Sequence, residues 1–407
     1  MQINNELGEI QRAFKTRVKG MKNILYVLPT VGEMSQTFIV DEINLVGQTN
    51  DISILSMTEY LPGELSLNWQ EINEKYQIAV ALQPCFNVGV KSILKRCRNI
   101  VLISRLLKLL AFKKNERYFL LWAFKNLRHD YGKITHIHCH FAGPNLSLAY
   151  AMSLLLNVKV SVNFHGYDVR EWQIDKQRLV TICNATTANF VVSSSQKRKL
   201  ESIGIRSDRI FVQPVGVNIH SEETAGYCAF EDEFRLVTVA RLHPIKNHLM
   251  ALRAIKDLIE KGYNLHYTII GDGETLESLQ RFVHDNKIGE YVTFLGALPH
   301  KKTLEIMRQN HVHLLTSIDE GAPTVVMEAM ANKVVNVCTA VGGVPDLLEH
   351  NINGKLVQSE AELASVIEIL NDDRSQLAPL IESAYSKACL NFDKEKLTSR
   401  KLQLIQQ

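Results

Sequence analysis

From residue 236 onward the chain repeats one unit: a short apolar run, a turn, then a longer stretch with an apolar stripe. The runs 236–239, 266–270, 292–295 and 312–315 read as strands, and 249–259, 276–283 and 303–307 as helices. Leu249, Leu252, Ile255, Leu258 and Ile259 recur at the three- and four-residue steps that line one helix face. Parallel strands cannot be joined by a tight hairpin; they need a crossover, most often a helix. The alternation therefore predicts a parallel α/β sheet. Ligands of such sheets bind beyond the carboxyl ends of the strands, so the loops after the strands carry the interest.

The first half keeps the same rhythm less regularly. A strand at 24–28 ends in Pro29-Thr30-Val31-Gly32, and a helix begins with Ser35 or Thr37 as its cap. Gly32, in a strand-to-helix turn, allows a ligand to approach the backbone closely; a plain turn explains it as well. Strands follow at 52–56 and 76–82, then at 135–140, where His136, His138 and His140 share one face because side chains alternate. A zinc site and a strand end that feeds a ligand cleft both account for three such histidines. The strand 158–164 leads into His165-Gly166-Tyr167-Asp168, and further strands sit at 190–192 and 210–212.

A length of 407 residues exceeds what one core usually fills, so two domains are expected. The polar, aperiodic stretch 221–232 supplies the linker. The division predicted is 1–218, linker 219–232, and 233–384, with a helical end beyond.

Composition narrows the function classes. Apolar residues make up 46% and charged residues 22%, a globular balance that excludes a disordered or fibrous chain. The seven cysteines are scattered without a C-x-x-C pair, which predicts reduced thiols in a cytoplasmic setting rather than a disulfide framework. Residues 1–20 are charged and lack an apolar core, so no secretory signal is expected. The most apolar run, 141–158, contains Pro144 and Asn145 and fits a buried helix better than a membrane span. Net charge is only +3, yet the stretch 91–129, opened by Lys91 and closed by His129, holds eleven Lys and Arg against the single acid Glu116. Leucines, isoleucines and aromatics interleave with these cations. That pattern points to an anionic membrane surface, with a solvated helical hairpin as the alternative. No nucleic-acid motif accompanies the charge, so nucleic acid is not expected as a partner.

The most chemically pointed stretch is Ser317-Ile318-Asp319-Glu320-Gly321-Ala322-Pro323-Thr324-Val325-Val326-Met327-Glu328. Pro323 is placed at the first helical position, where its missing N–H costs nothing, and Ala322 before it is a poor cap. The N–H groups of Thr324, Val325 and Val326 are then candidates for an outside acceptor, and phosphate is the usual guest at a helix start. Glu320 precedes that helix and Glu328 lies about two turns on. The plainer alternative is that Glu320 caps the helix and Glu328 pairs with Lys333. Arg241 and Lys246, five residues apart in an earlier strand-to-helix loop, can aim two cations one way. Gly271-Asp272-Gly273 lacks the third glycine of a dinucleotide fingerprint, which leaves a nicotinamide-cofactor reading weak.

Glu320, seven residues, then Glu328 resembles the E-x7-E signature of retaining GT-B-fold glycosyltransferases of family 4, the "glycosyl transferases group 1". Ala240-Arg241-Leu242 with Lys246, Val341-Gly342-Gly343-Val344-Pro345-Asp346, Asn353-Gly354-Lys355-Leu356-Val357 and His165-Gly166-Tyr167-Asp168 are similar to that family's other motifs and stand in its order. The pattern from Pro29 to Phe38 is similar to members that build exopolysaccharide or lipopolysaccharide. The resemblance implies two Rossmann-like α/β domains facing across a cleft, an acceptor-side one at 1–218 and a nucleotide-sugar-binding one at 233–384, with a helix at about 385–407 packing back on the first.

The same resemblance implies a set of roles. Arg241 and Lys246 grip the donor diphosphate, Glu320 holds sugar hydroxyls, and Glu328 holds the ribose. The backbone of Gly321, Ala322, Pro323, Thr324 and Val325, with Gly32, approaches the donor, and His165 sits over the reacting sugar. The nucleotide-sugar is a substrate, so no cofactor is expected. No D-x-D occurs, and a metal-independent transfer to a glycan or lipid-linked acceptor at the inner membrane face follows. The alternatives are an epimerase or phosphorylase of the same fold, or a non-catalytic protein that only binds the nucleotide-sugar. Lys333 and Val335 stand where the family has Gly and Pro, and Asp346 where it often has Glu.

Overall fold

The computed structural model describes residues 23–32, 37–58, 66–81, 122, 126, 134–170, 174–219 and 233–406. The N-terminal 1–20, the Ser35 cap, most of the basic stretch 91–129 and most of the expected linker lie outside these residues. The chain divides into two compact units. The first comprises residues 1–191, 196–213 and 398–407; the second comprises 192–195 and 214–397.

The first unit is built on a seven-stranded sheet of order β3-β2-β1-β4-β5-β6-β7. Its strands are β1 Asn23–Leu28, β2 Asp51–Ser56, β3 Ala79–Val80, β4 His136–His140, β5 Lys159–Asn163, β6 Ala188–Val191 and β7 Ile210–Val212. Every pairing is parallel. The order reverses between β1 and β4, so the loops after these two strands diverge and leave a crevice at their carboxyl ends. The expected third strand at 76–82 shrinks to Ala79–Val80. Tyr76 instead ends a helix, Leu67–Tyr76, whose polar sequence hides it from pattern reading.

Helix Pro144–Leu156 shows why the 141–158 run reads as apolar throughout. Pro144 opens it, Asn157 closes it in a left-handed turn (φ 59°), and Leu146, Leu148, Ala149, Met152 and Leu155 are all buried. A helix covered on most of its circumference needs no polar face. Among the described residues no helix is long and apolar enough to cross a membrane.

The second unit has a six-stranded sheet of order β10-β9-β8-β11-β12-β13, again parallel throughout. Its strands are β8 Phe234–Val239, β9 Leu265–Ile270, β10 Val292–Phe294, β11 Val312–Leu315, β12 Val335–Thr339 and β13 Lys355–Val357. Renumbered within the unit, this is the 3-2-1-4-5-6 order of dinucleotide-binding folds. The reversal falls between β8 and β11. The stripe Leu252, Ile255 and Leu258 of helix His248–Glu260 is buried as its spacing predicts.

The expected helix from about Ser383 is two helices, Leu377–Asn391 and Lys394–Gln406, broken at Phe392 and Asp393. The break has a cause. The Val217 N–H donates to the Phe392 carbonyl (2.8 Å) and the Lys394 N–H to the Val217 carbonyl (3.1 Å), so the two stretches pair like strands. A side chain at Gly216 would strike the Lys394 backbone. The segment from Thr398 on groups with the first unit and the rest with the second.

Candidate functional site

In the second unit, the residues singled out by sequence gather at the carboxyl ends of β8 and β11. Val239 ends β8, and the chain passes through Ala240 and Arg241 into a single 3-10 turn, Pro244–Lys246. His243 caps that turn by accepting from the Ile245 N–H (3.2 Å). The turn is then tied to the end of β11. The Ile318 N–H donates to the Ile245 carbonyl (2.8 Å), and Thr316 Oγ1 donates to the carbonyls of Lys246 and Asn247 (3.2 and 3.0 Å). These bonds leave the Lys246 ammonium 2.5 Å from Glu320 Oε1, with Ser317 Oγ donating to the same oxygen at 2.6 Å. The two charged side chains are 18% and 10% exposed, shielded enough that the contact is more than a surface ion pair. Arg241 is exposed; its carbonyl takes the His243 N–H (2.9 Å), and no hydrogen bond or ion pair holds its side chain among the described residues.

Two glycine segments make this packing possible. Gly271 and Gly273, both at positive φ, lie against the carbonyls of Ala240 and Leu242 so closely that any Cβ would overlap them. Gly342 and Gly343 do the same to the carbonyls of Glu320 and Gly321, and the Gly343 N–H donates to the Glu320 carbonyl (3.0 Å). The glycines thus fix the backbone that carries Arg241 and Glu320. Neither segment needs a side chain of its own in the chemistry.

Helix Thr324–Ala331 opens one residue later than the sequence suggests. Pro323 is its N-cap (φ −68°, ψ 115°), with no side chain capping it. Of the three N–H groups expected to lack an acceptor, that of Val326 donates to the Pro323 carbonyl (3.1 Å), because Pro323 at the cap offers its carbonyl to the first turn. Thr324 and Val325 remain the donors of an uncapped, eight-residue helix. Glu328 is not paired with Lys333. Its Oε1 takes Nε2 of the exposed His300 at 2.8 Å, a contact between residues 28 positions apart that no local pattern announces. Lys333 adopts φ 59° in the turn before β12, the conformation for which glycine is the usual choice, and its ammonium lies 5.0 Å from the Tyr385 ring centre. Val335 is buried at the start of β12.

In the first unit, Gly32 follows β1 with φ 104°, a value that requires glycine. His165 follows β5 and is held from two directions. Buried Asp168 accepts from the His165 N–H (2.8 Å) and, through its other oxygen, from the Ala142 N–H (2.9 Å), joining the loops after β5 and β4. Burial pushes the Asp168 carboxyl up to about 6, although these N–H groups pull it down. The His165 ring packs against Phe38 and Phe141, with ring centres at 4.6 and 4.7 Å, and its Nε2 meets His140 Nδ1 at 2.9 Å.

The three histidines of β4 do lie on one buried face. Ser161 Oγ bridges His136 Nε2 (2.8 Å) and His138 Nδ1 (2.7 Å). Glu42 joins them from helix Thr37–Val46: its Oε1 is 3.4 Å from His138 Nε2, 3.5 Å from His140 Nε2 and 3.3 Å from the Tyr26 hydroxyl, while its Oε2 holds the Lys401 ammonium at 2.5 Å. Burial raises the Glu42 carboxyl, but Lys401, with His140 and His138, outweighs it and holds the group well below the usual carboxylate range. Burial keeps the imidazoles neutral, with His138 lowered to about 4 and His165 well below its ordinary value. Sequence pattern does not single out Glu42 or Lys401, 359 residues apart and each an ordinary helix residue.

Comparison with known proteins agrees with this architecture. The family profile "Glycosyltransferase Family 4" matches residues 86–221, and "Glycosyl transferases group 1" matches 222–387. The amylovoran biosynthesis glycosyltransferase AmsK of Erwinia amylovora is 26% identical over 268 residues, covering 63% of this chain and 66% of that protein. WcaL of Escherichia coli, named for colanic acid biosynthesis, is 25% identical over 283 residues, 66% of this chain and 69% of the relative. The matched part therefore spans about two thirds of these relatives' lengths. Among solved structures, Anabaena HepE in complex with UDP superposes with a TM-score of 0.71 at 17% identity, covering 95% of this chain and 100% of that one. TarM of S. aureus gives 0.69 at 13%, covering 96% and 99%. At such identities the likeness is one of fold. With two adjoining profiles accounting for residues 86–387 and two parallel Rossmann-like sheets, the chain belongs to the GT-B glycosyltransferases described as family 4 and group 1.

Proposed function

We propose that the protein moves a sugar from a nucleoside-diphosphate sugar to a glycan or lipid-linked acceptor in surface-polysaccharide assembly, with retention at the anomeric carbon and without a metal ion. The observation that carries this reading is the Lys246–Glu320 pair at the carboxyl ends of β8 and β11, beside an uncapped helix start. A departing nucleoside diphosphate gathers negative charge as the glycosidic bond breaks, and stabilising that charge is the main catalytic task. Lys246 and the exposed Arg241 supply the cations. The N–H groups of Thr324 and Val325, at the positive end of a helix dipole, supply neutral donors.

Glu320 then has two duties. It holds Lys246 in place before the donor arrives, and it accepts hydroxyls of the donor sugar. Glu328 receives the ribose, and the backbone at Gly321, Ala322 and Pro323 follows the sugar and phosphates. In the first unit, Gly32 permits close approach at the end of β1 and His165 meets a hydroxyl of the reacting sugar. AmsK, a relative named for amylovoran biosynthesis, supports a polysaccharide setting, and HepE, solved with UDP, supports a nucleotide-sugar donor. The departures at Lys333 and Val335 are absorbed by the turn and strand they occupy, so they give no reason to prefer a non-catalytic role. The basic stretch 91–129 is proposed to meet anionic lipid at the inner membrane face. Flotation with phosphatidylglycerol vesicles should enrich the protein, and equal behaviour with neutral vesicles would remove that part of the reading.

Lys246→Ala and Glu320→Gln are expected to lower kcat by about 10²–10³-fold while the circular dichroism spectrum stays that of the folded parent. Full transfer in either variant would end the proposal. Nucleotide release that needs an acceptor separates transfer from an epimerase or phosphorylase.

A further inference from the structure

The buried cluster around Glu42 suggests a role that no sequence motif announces. The contacts form a chain: Lys401 to Glu42 (2.5 Å), Glu42 to His140 Nε2 (3.5 Å), His140 Nδ1 to His165 Nε2 (2.9 Å). The two imidazole planes differ by only 10°, and their centres are 5.2 Å apart. With the facing nitrogens at 2.9 Å, the rings lie edge to edge, so one N–H points straight at the other ring's lone pair. His140 Nε2 is buried and has no hydrogen-bond partner, and its nearest acid is Glu42 Oε1.

The direction of this chain follows from charge. A neutral imidazole carries one proton, and whichever nitrogen lacks it presents a lone pair. A lone pair facing a buried carboxylate repels it; an N–H attracts it. Glu42, with Lys401 on its other oxygen, therefore places the His140 proton on Nε2. His140 Nδ1 is then an acceptor, the His165 proton sits on Nε2, and His165 Nδ1 is left as a lone pair. Among the described residues, His165 Nδ1 has no partner.

We propose that Glu42, His140 and Lys401 are positioning residues that fix His165 in the Nε2–H tautomer, so that its Nδ1 accepts a hydrogen bond from a hydroxyl of the sugar. The sugar contact rests on the function proposed above; the tautomer does not. The rival reading of the cluster is a metal site, because Glu42 Oε1, His138 Nε2 and His140 Nε2 all lie within 4.8 Å of one another. Charge balance argues against it. Lys401 already neutralises the one carboxylate, and a divalent ion would leave two uncompensated positive charges in a buried cluster.

The test reads the proton directly. In protein labelled with 15N at histidine, long-range 15N–1H correlation spectra distinguish a protonated from a bare ring nitrogen, with His140→Asn and His165→Asn variants used for assignment. The parent protein should show His140 and His165 both as Nε2–H tautomers; a proton on His165 Nδ1 would overturn the proposal without any variant having to fold. Glu42→Gln should reverse the chain. Its amide oxygen turns to Lys401, its NH2 donates to His140 Nε2, and the His165 proton moves to Nδ1. An unchanged His165 signal in a folded Glu42→Gln protein would contradict the account, as would one equivalent of zinc in the purified parent by elemental analysis. If the signal reverses and kcat also falls by about tenfold or more at unchanged KM, both readings stand. If the signal reverses and kcat does not change, the tautomer assignment survives and the sugar contact fails.

Discussion

The two sheets share a topology and place their sites at the same landmark, the carboxyl ends of the strands flanking the order reversal, yet they fill that landmark with opposite chemistry. At the end of β8 and β11 the side chains are charged and partly open to solvent: Lys246, Glu320 and Arg241. Around β1 and β4 they are neutral imidazoles and one carboxylate, buried and closed by Lys401. The diphosphate site proposed for the second unit needs cations able to change partners, which requires access. The lone pair proposed to meet a sugar in the first unit needs a single protonation pattern, which burial enforces. The contrast teaches that a shared strand order fixes where a site sits and leaves its electrostatics to the loops.

That comparison can be broken most forcefully at Lys401. Lys401→Met leaves Glu42 charged and unpaired in a buried setting, which costs about 3–5 kcal/mol. Chemical denaturation should show the loss, and hydrogen exchange should confine it to the first unit. A loss shared by both units would mean that the cluster does not belong to the first unit alone.

Acid is the next lever. His138 has a folded value of about 4 against an ordinary 6.5, so between those values the unfolded chain binds the extra proton. Stability must then fall as pH drops from 6.5 to 4, by roughly 3 kcal/mol from this group. Asp168 works the other way. Its carboxyl is raised from 3.8 to about 6, so its contribution is greatest below 3.8 and declines as pH rises through 6. The second unit has two depressed groups of its own: His313, also about 4 through burial, and His248, lowered by burial although the Arg241 carbonyl pulls it up. The first has His136, His140 and His165 lowered as well. Hydrogen exchange at pH 5 should therefore open the first unit before the second; the reverse order would sink the contrast.

Asp168→Ala should cost about 1–3 kcal/mol, since it strips an acceptor from the buried N–H of Ala142 and from that of His165. The effect to look for is a lower melting temperature together with a displaced His165 signal. Smallest is Lys333→Gly. It relieves a left-handed lysine but forfeits the Tyr385 contact, so stability should change by no more than about 1 kcal/mol, in the stabilising direction. A clear loss would show that the Tyr385 contact outweighs the backbone.

The second unit is far more legible in sequence than the first. Arg241, Lys246, Glu320 and Glu328 each stand in a loop or helix adjoining a regular strand, so local pattern offers them as candidates, and the resemblance to the glycosyltransferase motifs is what implies their roles. The glycines at 271, 273, 342 and 343 are visible too, though only packing reveals that they press on the backbone of Ala240 to Leu242 and Glu320 to Gly321. Pro323 is displaced by one residue from its expected place, because a proline suits the first turn and the residue before it alike. The first unit hides its design. Three histidines on β4 are evident, but their partners come from helix Thr37–Val46 and from the last helix of the chain, and no period links Glu42 to Lys401. Helix Leu67–Tyr76 escapes pattern reading because, among its described side chains, only Trp69 and Ile72 are fully buried.

The most direct test of the central claim is nucleotide binding to the second unit's charged loop. A thermal-shift and calorimetric panel of UDP, GDP and ADP with their sugars, run on the parent and on Lys246→Ala, reads it without an acceptor. The account predicts that at least one nucleotide diphosphate raises the parent's melting temperature and that Lys246→Ala, still folded, loses most of the shift. A folded Lys246→Ala protein that binds the same nucleotide as tightly as the parent would contradict it.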